Sequence, residues 1–259
     1  NNNGKTVMKG LSSKTILEHH RLLHAMLQNA VYWQILPYNP ADRVKPPKHQ
    51  RPQIKYYDDI QCKQLLEALE NEEIKFQTII ILTLFTGMRR GEVLGLEWSD
   101  IDFDNGFVHI TKASQYTSEK GIFVKNPKTQ SSIREVGIPD IVINMLKKYR
   151  TWYEAEKERC GDLWNNSNRL FVTWNGNPMH PDTVTDWFRS FIKKNNLPKI
   201  TFHGLRHTNA TLLISKNVDV AVVASRLGHA QITTTLNFYV HPVQSHNKEA
   251  GKVLEKLLV

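Results

Sequence analysis

Cysteine is nearly absent from this 259-residue chain, which carries only Cys62 and Cys160. Two thiols cannot build a disulfide framework or a four-cysteine metal site, so the cytoplasm is the expected compartment. Long hydrophobic runs are lacking too. The longest, residues 79–85, is broken by Thr83 and falls far short of the ~20 residues that a membrane-spanning helix needs. It reads as a buried helix. No signal-peptide pattern opens the chain, and its start at Asn1 rather than Met leads us to expect further sequence upstream. Glycine (13) and proline (11) stand at ordinary levels, and with 40% hydrophobic residues neither disorder nor collagen-like repetition fits. What remains is a soluble globular protein of one large domain or two smaller ones, without internal repeats.

Acidic residues are scarce in one place. The whole chain carries 34 Lys or Arg against 25 Asp or Glu, but residues 1–57 hold nine basic side chains and only Glu18 and Asp42 as acids. Most of the excess charge therefore sits in one short N-terminal segment, suited to neutralising the phosphates of nucleic acid. An anionic membrane would call for an amphipathic basic helix, whereas Arg43, Lys45, Lys48, Arg51 and Lys55 lie in or beside a proline-containing stretch. A merely solvated surface is the plain alternative.

Ser12 or Ser13 is placed to cap a helix over about 15–33, whose apolar residues recur at helical spacing. Residues 37–52 carry five prolines and cannot form a regular helix, so the domain boundary is placed there. Asp58 and Asp59 open a second helical region, followed by the apolar helix ending at Thr86-Gly87. Three β-leaning stretches, 107–111, 121–124 and 133–138, suggest a small antiparallel sheet on a mostly helical body. Helices are expected over 140–158, after a strand-like run at 170–172 from a cap at Asp182, and onward to the end. The expected fold is thus mainly α with a small antiparallel β-sheet.

Four clusters carry chemistry: residues 86–92 with Arg89 and Glu92, Lys128-Thr129 followed by Arg134, 203–207 with His203, Arg206 and His207, and Leu227-Gly228-His229 with Tyr239 ten residues on. Each alone is weak. Arg89 and Glu92 at i, i+3 would pass for a surface ion pair worth a few tenths of a kcal/mol. His203 and His207 share zinc-helix spacing but lack the intervening Glu and a third ligand, so no metal site is assigned.

In this order the clusters resemble the tyrosine recombinase (phage and transposon integrase) family. The likeness extends to residues 84–102 (LFTGMRRGEVLGLEWSDID), 128–139 (KTQSSIREVGIP), 201–211 (TFHGLRHTNAT) and 227–241 (LGHAQITTTLNFYVH). Asn39-Pro40 with the basic stretch after it resembles the end of the family's core-DNA-binding domain. The resemblance implies residues 1–46 as the C-terminal part of that helical domain, 47–57 as linker and 58–259 as catalytic domain with a tail. It implies Arg89 and Arg206 as the clamp on the scissile phosphate, His203 and His229 as further phosphate contacts, Lys128 as proton donor to the leaving oxygen and Tyr239 as nucleophile. Glu92 and His207 would orient their neighbours, a purely structural role being the alternative. Lys5, Lys9, Lys14, Arg43, Lys45, Lys48, Arg51 and Lys55 are the candidate DNA contacts. Lys128 is preferred over Lys125, and Arg89 over Arg90, because they match the family boxes.

The chemistry explains the residue types. A phosphodiester under attack gathers negative charge on its non-bridging oxygens, and arginine meets that charge with a planar fork that stays protonated. A phenol of reference pKa ~10 needs a base, here His203. No cofactor is required. The family also implies double-stranded DNA sites as partners, a homo-tetramer on them, and an excision factor or host DNA-bending protein. The tail residues Val253, Leu254, Leu257 and Leu258 form an apolar stripe for a neighbouring subunit or for their own. A chromosome-dimer resolvase or type IB topoisomerase shares the pocket chemistry. A non-catalytic DNA-binding protein leaves the order of the six residues unexplained, and a metal-dependent nuclease ranks last.

Overall fold

The computed structural model describes residues 10–48, 55–125 and 133–229. The chain divides into two compact units, Asn1–Gln53 and Ile54–Val259.

The first unit is built on helix α1 (Ser13–Tyr32), which starts where Ser12 accepts a hydrogen bond from the Thr15 amide. After it, among the described residues of the proline-containing stretch, comes a short 3-10 turn, Pro40–Arg43. Asn39 fastens that turn to α1. Its buried amide donates to the His24 carbonyl (3.0 Å) and to Gln28 (3.2 Å), while its Oδ1 accepts from the Ala41 amide. No residue of α1 is buried, and Leu22, Leu23 and Met26 are each more than half exposed.

The second unit begins with α2 (Asp59–Leu69), capped by Asp58 and Gln61 reciprocally. Just before it Tyr57 is fully buried, its amide donating to Thr208 and its hydroxyl to the Pro198 carbonyl, so the chain is anchored to this unit from that residue on. Helix α3 (Ile74–Thr86) is apolar on nearly every face and runs through the core. Its buried Thr78, Thr83 and Thr86 hydroxyls donate back to carbonyls one turn earlier, which satisfies them without a polar partner elsewhere. Helix α4 (Arg90–Gly95) follows.

Strands β1 (Ile101–Asp102), β2 (Phe107–Ile110) and β5 (Arg134–Gly137) form an antiparallel sheet in the order β1-β2-β5. Val108 pairs with Val136 and Ile110 with Arg134. Strands β3 (Ala113–Thr117) and β4 (Gly121–Lys125) make a separate two-stranded hairpin. Among the described residues the expected single sheet is therefore two. The reason is that β3 packs on α4 through backbone: a side chain at Gly91 would meet the Ser114 carbonyl at 2.7 Å, so the hairpin is drawn to the helix. Residues 169–172 contribute only isolated bridges, Glu97 with Arg169 and Val172 with Pro178, rather than a strand.

Four more helices follow among the described residues: α5 (Asp140–Cys160), α6 (Pro181–Lys194), α7 (Phe202–Ser215) and α8 (Val220–Leu227). The cap of α6 is His180 rather than Asp182. Its ring accepts from the Asp182 amide, and Pro181 takes the first helical position, so the cap lies two residues earlier than expected. No helix among the described residues is long and apolar enough to cross a membrane.

Candidate active site

The site forms where the C-terminal ends of α3 and α8 meet α7. Helix ends leave carbonyls unpaired, and here side chains fill them. Asn209 of α7 donates to the Leu84 carbonyl (2.8 Å) and the Phe85 carbonyl (3.2 Å), and Arg226 of α8 donates to Phe85 (2.7 Å) and Gly137 (2.9 Å). Arg206, 2% exposed, spans the junction: one Nη donates to the Gly87 carbonyl at 2.8 Å, the other to Leu227 at 2.7 Å. Both ends close on glycines with left-handed backbone, Gly87 and Gly228, each at φ +66°. At Gly87 a side chain would also strike Leu227 (2.6 Å), and at Gly228 it would strike the Arg134 guanidinium (2.9 Å).

Past Gly87, Met88 is buried and Arg89 turns outward as the N-cap residue of α4. Its backbone amide and one Nη each donate to Glu92 at 2.8 Å, while the side chain stays 41% exposed. Glu92 is only 6% exposed, so the pair is not the ordinary surface bridge its spacing allowed. Glu92 also receives Arg134, at 2.8 and 3.3 Å. Burial alone would raise the Glu92 pKa, but the hydrogen bonds and charge of Arg134, with those of Arg89, outweigh it and hold it below the ordinary carboxylate range. Arg90 is tied to the start of α6, donating to the Pro181 carbonyl, Asp182 and Thr185. Arg89 and Glu92 also line a cleft of about 450 Å³, whose further wall includes Tyr116 and His180 in edge-to-face contact.

Three histidines surround this frame. His203 lies in the first turn of α7 and His207 one turn on, their rings 4.9 Å apart and nearly perpendicular. His229 follows the Gly228 cap, its amide donating to the Ala224 carbonyl. Burial, then the cations Arg206 and Arg89, lower the His203 pKa. Burial and then His203 and Arg206 bring His207 to about 4, and burial, then Arg206, Arg89 and Arg134 bring His229 to about 4. All three rings are neutral at pH 7, and a neutral imidazole can accept a proton. The linkage has a sign. Unfolded histidines, with pKa near 6.5, take up protons that the folded rings refuse, so stability is full above about pH 6.5 and falls as the pH drops toward 4. Urea midpoints measured from pH 7.5 to 4 should decline across that window, and His207→Asn should flatten the decline. A wild-type midpoint independent of pH would refute this.

Of the expected site residues, the structure brings together Arg89, Glu92, His203, Arg206, His207 and His229. Lys128 and Tyr239 lie outside the described residues, as do Lys5, Lys9, Arg51 and the tail stripe. Lys14, Arg43, Lys45, Lys48 and Lys55 are exposed, with Arg43 over the Tyr38 ring at 4.9 Å. No group of three or more metal-ligating side chains occurs among the described residues. The residue that sequence reasoning passed over is Arg134, quoted in a family box but given no role. Its signals were its place after Lys128-Thr129 in one of the four clusters and a cation at a position that alternation with Val136 and Ile138 turns inward.

The phage integrase family profile matches residues 55–246. The chain is 30% identical to a XerC-like tyrosine recombinase of Caldanaerobacter subterraneus subsp. tengcongensis, over 98% of this chain and 69% of the relative. It is 29% identical to the ICEBs1 integrase of Bacillus subtilis, over 96% and 67%. Among solved structures it superposes on the Tn1549 transposon integrase bound to transposon right-end DNA with a TM-score of 0.81, at 26% identity over 96% of this chain and 81% of that one. These likenesses do not favour the resolvase, topoisomerase or non-catalytic alternatives. The chain belongs to the phage integrase family and is a site-specific DNA recombinase of the tyrosine type, of the kind that acts in phage or transposon integration.

Proposed function

We propose that the protein cuts and rejoins DNA through a 3′-phosphotyrosyl intermediate. The Tyr239 oxygen attacks the scissile phosphorus while His203 takes the phenol proton. The bond to the 5′ oxygen breaks, and Lys128 protonates the leaving group. Arg89, Arg206, His203 and His229 hold the non-bridging oxygens. A free 5′ hydroxyl from another strand reverses the sequence, and because the phosphotyrosyl bond conserves the energy of the broken diester, neither ATP nor metal is consumed. The observation that carries this reading is the gathering of two arginines and two histidines from separate stretches of sequence, with the histidines held neutral.

The DNA-bound Tn1549 relative supports double-stranded recombination sites as the substrate. Residues 1–46 serve as the end of a core-DNA-binding domain and 47–57 as linker to the catalytic domain, 58–259, with the exposed basic residues Lys14, Arg43, Lys45, Lys48 and Lys55 on phosphates. The working assembly is a homo-tetramer on paired sites in the cytoplasm, directed by an excision factor or a host DNA-bending protein. Nicked duplexes carrying the ends of the protein's own element provide the test, since a nick releases the short product and traps the adduct. With EDTA present, protein-DNA adducts that survive denaturant are expected. Their absence on those ends would overturn the reading.

A further inference from the structure

Arg134 occupies the centre of the frame without any role in the chemistry described so far. It leaves strand β5 and is 6% exposed at its side chain. Its Nη groups meet both oxygens of Glu92, and its Nε donates to the Arg226 carbonyl at 2.7 Å. Arg226 lies two residues before Gly228, whose missing side chain leaves room for this guanidinium. Glu92 in turn holds Arg89 by backbone and side chain. One planar group therefore touches the support of Arg89 and the turn that carries His229.

We propose that Arg134 is a positioning residue for strand cleavage: by sharing Glu92 with Arg89 and holding the Arg226 carbonyl, it fixes Arg89 and the His229 turn in one frame. The inference rests on the strand-cleavage reading above. Its physical reason is first a matter of charge. Arg89 with Glu92 alone is a neutral pair, and an arriving phosphate would meet a dipole. With Arg134 the trio carries a net positive charge, so Glu92 can orient Arg89 without cancelling it. The second reason is geometry. Each Glu92 oxygen accepts from both arginines, so the carboxylate cannot rotate and Arg89 has one resting place. A lysine at position 134 would keep the charge but lack the fork, and could not hold both Glu92 oxygens and the Arg226 carbonyl.

The test compares Arg134→Lys, Glu92→Gln and the double variant in single-turnover cleavage of nicked duplex at saturating DNA, with thermal melting and DNA affinity measured alongside. Arg134→Lys should slow cleavage on the order of 10–100-fold, the usual effect of losing a group that orients a reacting one, with affinity within about twofold of wild type. The double variant should be little worse than the poorer single variant, because both act on Arg89 along one path. Cleavage at the wild-type rate in Arg134→Lys, or losses that multiply, would overturn the proposal. A second readout needs no cleavage. In nitrogen-15 spectra the Arg89 Nε–H signal should be sharp in the wild-type chain and broadened in Arg134→Lys. An unchanged signal would count against Arg134, whereas a wild-type chain that forms no adduct would count against the strand-cleavage reading itself.

Discussion

A Tyr239→Phe chain is expected to hold its DNA site with wild-type affinity and to leave no covalent adduct. The substitution removes one oxygen and nothing else, so side-chain size and charge are preserved while the proposed nucleophile is gone. Loss of a nucleophile from an otherwise intact site costs at least ~10⁴-fold in rate, which puts cleavage below detection in a gel assay. Phe238 has no hydroxyl, and attack requires an oxygen about 3–3.5 Å from phosphorus and in line with the leaving group. Adducts from the phenylalanine chain would place the nucleophile on another residue, and peptide mapping of the DNA-linked fragment would name it.

The second large effect is expected at Arg206. This guanidinium holds the last carbonyls of two helices, at Gly87 and Leu227, in a buried setting. Replacing it by methionine strands both acceptors away from water, at about 1–3 kcal/mol each. Lysine keeps a cation but as a point charge on a flexible stem. Its three N–H donors sit on one nitrogen instead of a rigid fork and reach the two carbonyls with poorer geometry, so Arg206→Lys should lose about 1–3 kcal/mol of stability and, with the proposed donor to the phosphate displaced, roughly 10²–10³-fold in cleavage. Urea unfolding and single-turnover cleavage measure the two losses separately. A lysine chain with wild-type midpoint and rate would mean that the junction is held by other groups.

How far the sequence reveals this molecule depends on where the information is local. Helix α3 was legible because an apolar stretch ending in Thr-Gly specifies both burial and a left-handed stop. Arg89 could be chosen over Arg90 only by its place in a family box, yet the structure supplies a physical reason: Arg90 is committed to Asp182 and Thr185. Strand β3 was invisible. Its sequence, Ala-Ser-Gln-Tyr-Thr, lacks apolar alternation because what fixes it is close backbone approach to α4 at Gly91, a relation between segments more than twenty positions apart. Arg134 escaped for the same reason: its partners are 42 and 92 positions away in sequence. The pairing of Arg89 with Glu92 was visible, but its burial was not, since i, i+3 spacing looks the same on a wet surface and beneath a sheet.

The junction bridged by Arg206 also bears on safety. A protein that recombines DNA is hazardous whenever it is half-made. Here the proposed phosphate clamp exists only after α3, α7 and α8 have docked, because the arginine is aimed by carbonyls that belong to the first and the last of them. A chain in which these three helices have not docked holds the same residues at scattered points and has no such clamp to offer a phosphate. Completion of the fold is therefore the licence to cut.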